Sequence, residues 1–144
     1  MTDLGPCIYY LGISVRRDRL THSLQLHQKG YIEKVLREFS MWECKPVITP
    51  IDTNKLEPFK EGFIATEIDW NWYIRAIGSL MYAILKTRLN IVYIVSVCSR
   101  YIANPEEPNI KAVKQIFRYL RGTINLELNF SGSLEELVGY TNLN

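Results

Sequence analysis

The sequence predicts an α+β fold, and three observations predict it. Residues 73–122 carry three consecutive helix signals, the stretch before position 29 reads as strands, and strand patterning returns after Gly122. Taken in order, the chain should form an N-terminal β-hairpin plus helix, an extended connector, a three-helix core and an incomplete C-terminal β-hairpin. The expected divisions are 1–51, 52–72, 73–123 and 124–144.

Residues 8–16, IYYLGISVR, are rich in aromatic and β-branched types, and SLQLHQ at 23–28 alternates. The polar RDRLTH between them supplies a turn, so a hairpin is predicted. Tyr31, Ile32, Val35, Leu36 and Phe39 then fall at helical spacing, with Lys29, Lys34 and Arg37 pointing elsewhere. An amphipathic helix over 28–39 follows. The next stretch has three prolines, no sustained period and five acids from Asp52 onward, which reads as an extended connector. Val47, Ile48, Phe59, Trp70 and Trp72 are its candidates for contact with the core.

In the helical region, Ile74, Ile77, Leu80, Met81, Ile84 and Leu85 make one apolar stripe. Gly78 lies on that stripe and suggests a close backbone approach there, because glycine costs roughly 1 kcal/mol relative to alanine in a helix. Asn90 is placed to cap a second helix, apolar on most sides through Ile102 and therefore expected to be the most enclosed element. A third helix opens on Glu106, Glu107 and Pro108 and closes at Gly122. Its buried face is Ile110, Val113, Ile116, Phe117 and Leu120. Lys111, Lys114, Arg118 and Arg121 recur on another face as a basic stripe. After it come LELNF at 126–130, a turn at 131–133 and ELVGYTN at 136–142, which should start a second, truncated domain.

Composition narrows the function. With 144 residues and 47% hydrophobic content, the chain is long enough for one domain with a real core. Lys86, Arg88 and Asn90 interrupt the longest apolar run, and the N-terminus lacks a secretory pattern. A cytoplasmic or nuclear setting, with no membrane partner and no secretion, is the expectation. Cys7, Cys44 and Cys98 are odd in number and far apart, which fits reduced packing residues better than disulfides or zinc ligands. His22 and His27 have no Cys, Asp or Glu at ligand spacing, so no metal site is assigned. Ser79, Ser96 and Ser99 have no base placed to activate them. The net charge of +2 is uneven, with residues 73–122 carrying +6. Such an excess attracts phosphate backbones, although a solvated helix face also explains a run of lysines.

Six ordered motifs carry a family resemblance: DLGPCIYYLGISV (3–15), LHQKGYIEKVLREFSM (26–41), CKPVITP (44–50), YIRAIGSLMY (73–82), TRLNIVYIVSVCSRY (87–101) and AVKQIFRYLRGT (112–123). Over nearly all its length the chain resembles the polymerase polyprotein of copia-type LTR retrotransposons, in the C-terminal part of reverse transcriptase leading into ribonuclease H. The resemblance implies the end of the palm in 1–51, a thumb- or connection-like helical region in 73–123 and the start of ribonuclease H in 124–144. It implies an RNA-directed DNA polymerase as parent, with magnesium held by palm aspartates that this chain lacks. No catalytic residue is therefore assigned, and no cofactor is expected to bind this chain.

The resemblance also implies a template-primer duplex as partner, met by Lys111, Lys114, Arg118 and Arg121 with Arg88 joining them, alongside the remainder of the polyprotein. For Tyr9, Tyr10 and Gly12 it offers a primer-grip-like surface, against ordinary strand packing as the favoured reading. Leu89 and Asn90 replace a usual proline and aspartate, and Asn109 and Ile110 replace a His-Trp pair. Asn142 stands at the position of a metal-binding aspartate, where a neutral amide is a poor magnesium ligand. The expected function is thus a non-catalytic polymerase segment with sequence-independent backbone binding. The alternative is a protein–protein interaction module repurposed from a retroelement.

Overall fold

The computed structural model of the protein describes residues 5–51 and 67–131. The residues 52–66, the expected second C-terminal strand and Asn142 lie outside that range. The fold is α+β, as the sequence predicts. A four-stranded antiparallel sheet is built from β1 (Tyr9–Tyr10), β2 (Ile13–Asp18), β3 (Ser23–His27) and β4 (Leu128–Ser131), in that spatial order. Four helices accompany it: α1 (Lys29–Glu38), α2 (Glu67–Lys86), α3 (Val92–Ser99) and α4 (Glu107–Gly122).

The first predicted strand is in fact two. The chain turns at Leu11 and Gly12, both with positive φ (44° and 78°), and β1 folds back on β2 with Tyr10 opposite Ile13. Only glycine suits position 12, because a Cβ there would lie 2.8 Å from the Tyr82 hydroxyl in addition to the φ strain. That hydroxyl donates to the Leu11 carbonyl at 2.6 Å and so ties the turn to α2. Tyr9 and Tyr10 are about two-thirds exposed on this edge strand, so strand packing is not what they supply.

The sheet's fourth strand comes from the expected last division of the chain. Leu128 pairs with Leu26 and Ser131 with Ser23, so β4 joins the N-terminal sheet at β3. The helical region also begins earlier than expected, since α2 takes residues 67–72 from the predicted connector.

The core lies among the helices. Phe39 stacks on Phe117 with centroids 5.1 Å apart, and Trp72 meets both rings edge-on at 5.7 and 6.1 Å. Around this cluster Ile32, Leu36, Tyr73, Ile77, Leu80, Val113, Ile116 and Leu120 are buried. Each such side chain contributes roughly 1.5–3 kcal/mol of burial before entropy is counted. Tyr73 donates to the Cys98 carbonyl at 2.7 Å and Tyr31 to the Ser79 carbonyl at 2.9 Å, pinning α3 and α1 to α2.

Four local expectations need correction. Asn90 does not cap a helix: a 3-10 turn over Leu89–Ile91 precedes α3, and the Asn90 amide donates to the Tyr119 hydroxyl. The second helix is not the most enclosed, because Tyr93 is 69% exposed and only Ile94, Val95 and Cys98 of α3 are buried. Leu85, expected on the buried stripe, is 77% exposed. Close approach belongs to Gly122 and not to Gly78. A Cβ on Gly122 would meet the Val47 carbonyl oxygen at 3.1 Å, while one on Gly78 would meet nothing within 4 Å.

Candidate nucleic-acid interface

The basic stripe sits on α4, whose start the sequence encodes clearly. Glu106 accepts from the N3 backbone, Asn109 Oδ1 accepts from the Glu106 N–H at 2.8 Å, and Pro108 occupies the first turn. Ile110, Val113, Ile116, Phe117 and Leu120 face the core, which forces Lys111, Lys114, Arg118 and Arg121 outward along about 15 Å of helix.

These four cations divide by what they touch. Lys111 is exposed and pairs with Glu107 at 2.6 Å, a contact that holds the glutamate below the usual carboxylate range. Lys114 is exposed, its ammonium 5.7 Å from the Trp72 ring centroid. Arg118 and Arg121 are half-buried and donate through Nε, to the Lys45 carbonyl at 2.8 Å and the Trp42 carbonyl at 2.9 Å. Val47 N–H donates to the Arg118 carbonyl at 3.3 Å, and Gln115 to the Thr49 carbonyl at 3.4 Å. Residues 42–49 therefore run antiparallel along α4 as a strap that the two arginines hold down. Arg118 was expected to face solvent, and Arg121 to lie on the same basic stripe. They are shared between strap and surface instead, because a planar guanidinium has five donors and Nε uses one of them.

Two residues that sequence reasoning missed complete the face. The guanidinium carbons of Arg121 and Arg37 lie 4.2 and 4.3 Å from the centroid of the Trp42 ring, so α1 and α4 each bring a cation to one indole. Such contacts fix the orientation of the guanidinium as well as adding about 0.5–2 kcal/mol each. No periodicity signals this, since the three residues lie in three different segments. Cys44 lies in the same strap; burial pushes its thiol up, against the opposing pull of Arg118 and Arg121.

Arg88 does not belong to this face. It is fully buried, and its terminal nitrogens donate to the Thr123 carbonyl at 2.7 Å and to the Thr123 hydroxyl. Its place between helices suggested exposure, but the chain turns inward there and spends the guanidinium on the C-terminal cap of α4. Burial lowers its basicity, with the nearby Tyr119 opposing that. Gln28 and Thr87 are buried beside this turn, linked by a hydrogen bond of 2.8 Å.

Among the described residues no three His, Cys, Asp or Glu side chains come together. No described helix is long and apolar enough to cross a membrane.

Comparison with known proteins places the chain. It is 43% identical over 145 aligned positions to the retrovirus-related Pol polyprotein from transposon TNT 1-94 of Nicotiana tabacum, an alignment covering 98% of this chain and 11% of that protein. The chain is homologous to a segment of the copia-type Pol polyproteins. The Pol polyprotein from transposon RE1 of Arabidopsis thaliana is 36% identical over 81% of the chain and 8% of that protein. An uncharacterized mitochondrial protein of the same plant is 33% identical over 86% of the chain and 49% of that protein. The chain thus spans about a tenth of the TNT 1-94 and RE1 polyproteins and about half of the mitochondrial relative. No protein-family model matches the chain, and no solved structure does.

Proposed function

We propose that this Pol segment derives from the end of reverse transcriptase, where it passes toward ribonuclease H, and serves as a non-catalytic support for the nucleic-acid backbone. The observation that carries the reading is the gathering of Arg37, Arg118 and Arg121, from two helices, around the strap and its Trp42, with exposed Lys111 and Lys114 continuing the same stripe along α4. Cations held by carbonyls and rings lose little further freedom on meeting a phosphate, and they recognise charge without reading sequence. The partner that fits is a template-primer duplex. The chemistry of synthesis would come from carboxylates elsewhere in a polyprotein, with magnesium bound there.

The test is duplex binding by the purified chain across a salt series. Lys111 and Lys114 are the residues to replace, because both are exposed and neither holds the strap. Lys111→Gln with Lys114→Gln should lower the slope of log affinity against log salt by about 1.8 units, at roughly 0.9 counterion per phosphate. The sequence of the duplex should make little difference, and the melting temperature should hardly move. An unchanged slope would refute the assignment of this face.

A second reading, a repurposed protein-binding module, is favoured by a different observation. Met81, Leu85, Leu89, Val92 and Tyr93 are 40% to 77% exposed along the end of α2, the 3-10 turn and the start of α3. Association through them would be insensitive to salt, which separates the two readings in one experiment.

A further inference from the structure

The α4 face leaves one cationic feature unexplained, at the opposite end of the sequence. Residues 16–22 form the tip of the β2–β3 hairpin and contain Arg16, Arg17, Arg19 and His22 with one acid, Asp18. That acid is occupied by the turn. Asp18 Oδ1 accepts from the Leu20 N–H at 2.8 Å and the Thr21 N–H at 3.4 Å, and these bonds hold its carboxyl below the usual range. Thr21 and Ser23 hydroxyls are joined at 2.9 Å where the turn enters β3, and His22 between them takes a positive φ of 51°. The tip is therefore a built structure, not a loose loop.

Arginines at this tip have different surroundings. Arg16 lies opposite Gln25 and donates to its Oε1 at 3.1 Å, on the polar face of the sheet. Strand alternation puts Arg17 on the other face, opposite Leu24, and Arg19 lies beyond the last paired residues. Among the described residues neither Arg17 nor Arg19 has an ion-pair partner. Together with Asp18, His22, Ser23 and Leu24 they line a surface cavity at the tip. Beside it Leu20 is 94% exposed.

From this arrangement we propose that the β2–β3 tip is a second phosphate-binding site, in which Arg17 and Arg19 clasp the backbone of the nucleic acid that the α4 face supports. The inference rests on the duplex-binding reading for its partner and adds a contact on a separate element. Two arginines lining one surface cavity, with the nearby carboxylate bound by backbone N–H groups, offer forked donors to one or two phosphates. The simplest competing role is an edge guard. Charged residues on the part of β2 that β1 leaves unpaired would discourage strand addition.

The test uses the full chain and a blunt duplex of mixed sequence, with binding followed by fluorescence anisotropy across a salt series. Arg17→Gln with Arg19→Gln should lower the log–log salt slope by about 1.8 units and weaken binding about tenfold or more at low salt. Arg16→Gln removes one charge from the other face of the same strand and should leave the slope nearly unchanged. Arg19→Gln alone should remove about 0.9 unit, and since Arg19 is outside the strand ladder it cannot act by unpairing the sheet. A slope unmoved by the double variant overturns the proposal. If the variant self-associates while its slope is unmoved, the arginines are edge guards. If vesicles of anionic phospholipid lose binding and the duplex does not, the tip is a lipid contact and the proposal again fails. Should the lysine pair on α4 lower the slope while the arginine pair does not, only this inference falls; the reverse result removes the α4 assignment and leaves the tip.

Discussion

Replacing Arg88 should unfold more of the protein than replacing any cation on its surface, and it should do so without altering nucleic-acid binding. The side chain is fully buried, and it satisfies both the carbonyl and the hydroxyl of Thr123, where α4 ends. A hydrogen bond from a charged donor contributes about 1.5–3 kcal/mol, and an acceptor left buried and unmet costs about 1–3 kcal/mol. Against this stands the desolvation of a cation that has no carboxylate partner among the described residues, relieved when the charge is removed. The balance for Arg88→Ala, with its cavity, is a loss of about 3 kcal/mol, and about 1.5 kcal/mol for Arg88→Lys, whose ammonium cannot span both oxygens as a planar fork does. At about 3 °C per kcal/mol for a chain of this length, melting temperatures should fall by about 9 °C and 4 °C. Thermal melts followed by circular dichroism measure both. Thr123→Val in combination with Arg88→Ala should cost less than the sum of the two, because they share one contact. The reasoning fails if Arg88→Ala melts with the wild type, or if it lowers the salt slope of duplex binding while remaining folded.

Two further outcomes follow from the packing. Gly122→Val should cost about 1–3 kcal/mol and speed hydrogen exchange at the Val47 amide, since the new side chain meets the Val47 carbonyl and the Pro46 ring, and the strap must lift from α4. Stability should fall above about pH 9, as burial pushes the Cys98 thiol from its ordinary 9.0 up to about 11 and raises the Tyr73 hydroxyl as well. Both pKa values are raised in the folded state, so their contribution is complete below the unfolded values and is lost as pH rises and the unfolded chain ionises first. Denaturant melts over an alkaline series check this, and alkylation at mildly alkaline pH should mark exposed Cys7 well before Cys98.

The helices were legible because their signals are local. The capping residues at 106–109 and the apolar spacing of α1 and α4 are each contained within one or two turns, and the structure follows them closely. What was not legible depends on contacts between distant segments. Whether LELNF starts a new sheet or completes an old one is decided by β3, about a hundred residues earlier. The turn at Leu11 and Gly12 interrupts a run of strand-forming residues, and the approach of Tyr82 that makes glycine necessary cannot be read from either end. The basic face was found in its spacing but not in its division of labour. Nothing in the pattern KxxKxxxRxxR distinguishes the two lysines that point to solvent from the two arginines that hold a strap.

Departures from the family pattern bear on whether the fold persists independently of catalysis. Asn90, where the family resemblance implies an aspartate, donates its amide to the Tyr119 hydroxyl, a bond that a carboxylate could make only by accepting. Asn109, where the resemblance implies a histidine, supplies the reciprocal half of the capping box that starts α4. Leu89, where the resemblance implies a proline, is 62% exposed and opens a 3-10 turn that feeds α3 directly. Each of these residues is therefore accommodated by a local bond or by solvent. The side chains at 89, 90 and 109 thus fit the fold that carries the basic stripe, whose exposed lysines, Lys111 and Lys114, are directly open to a partner.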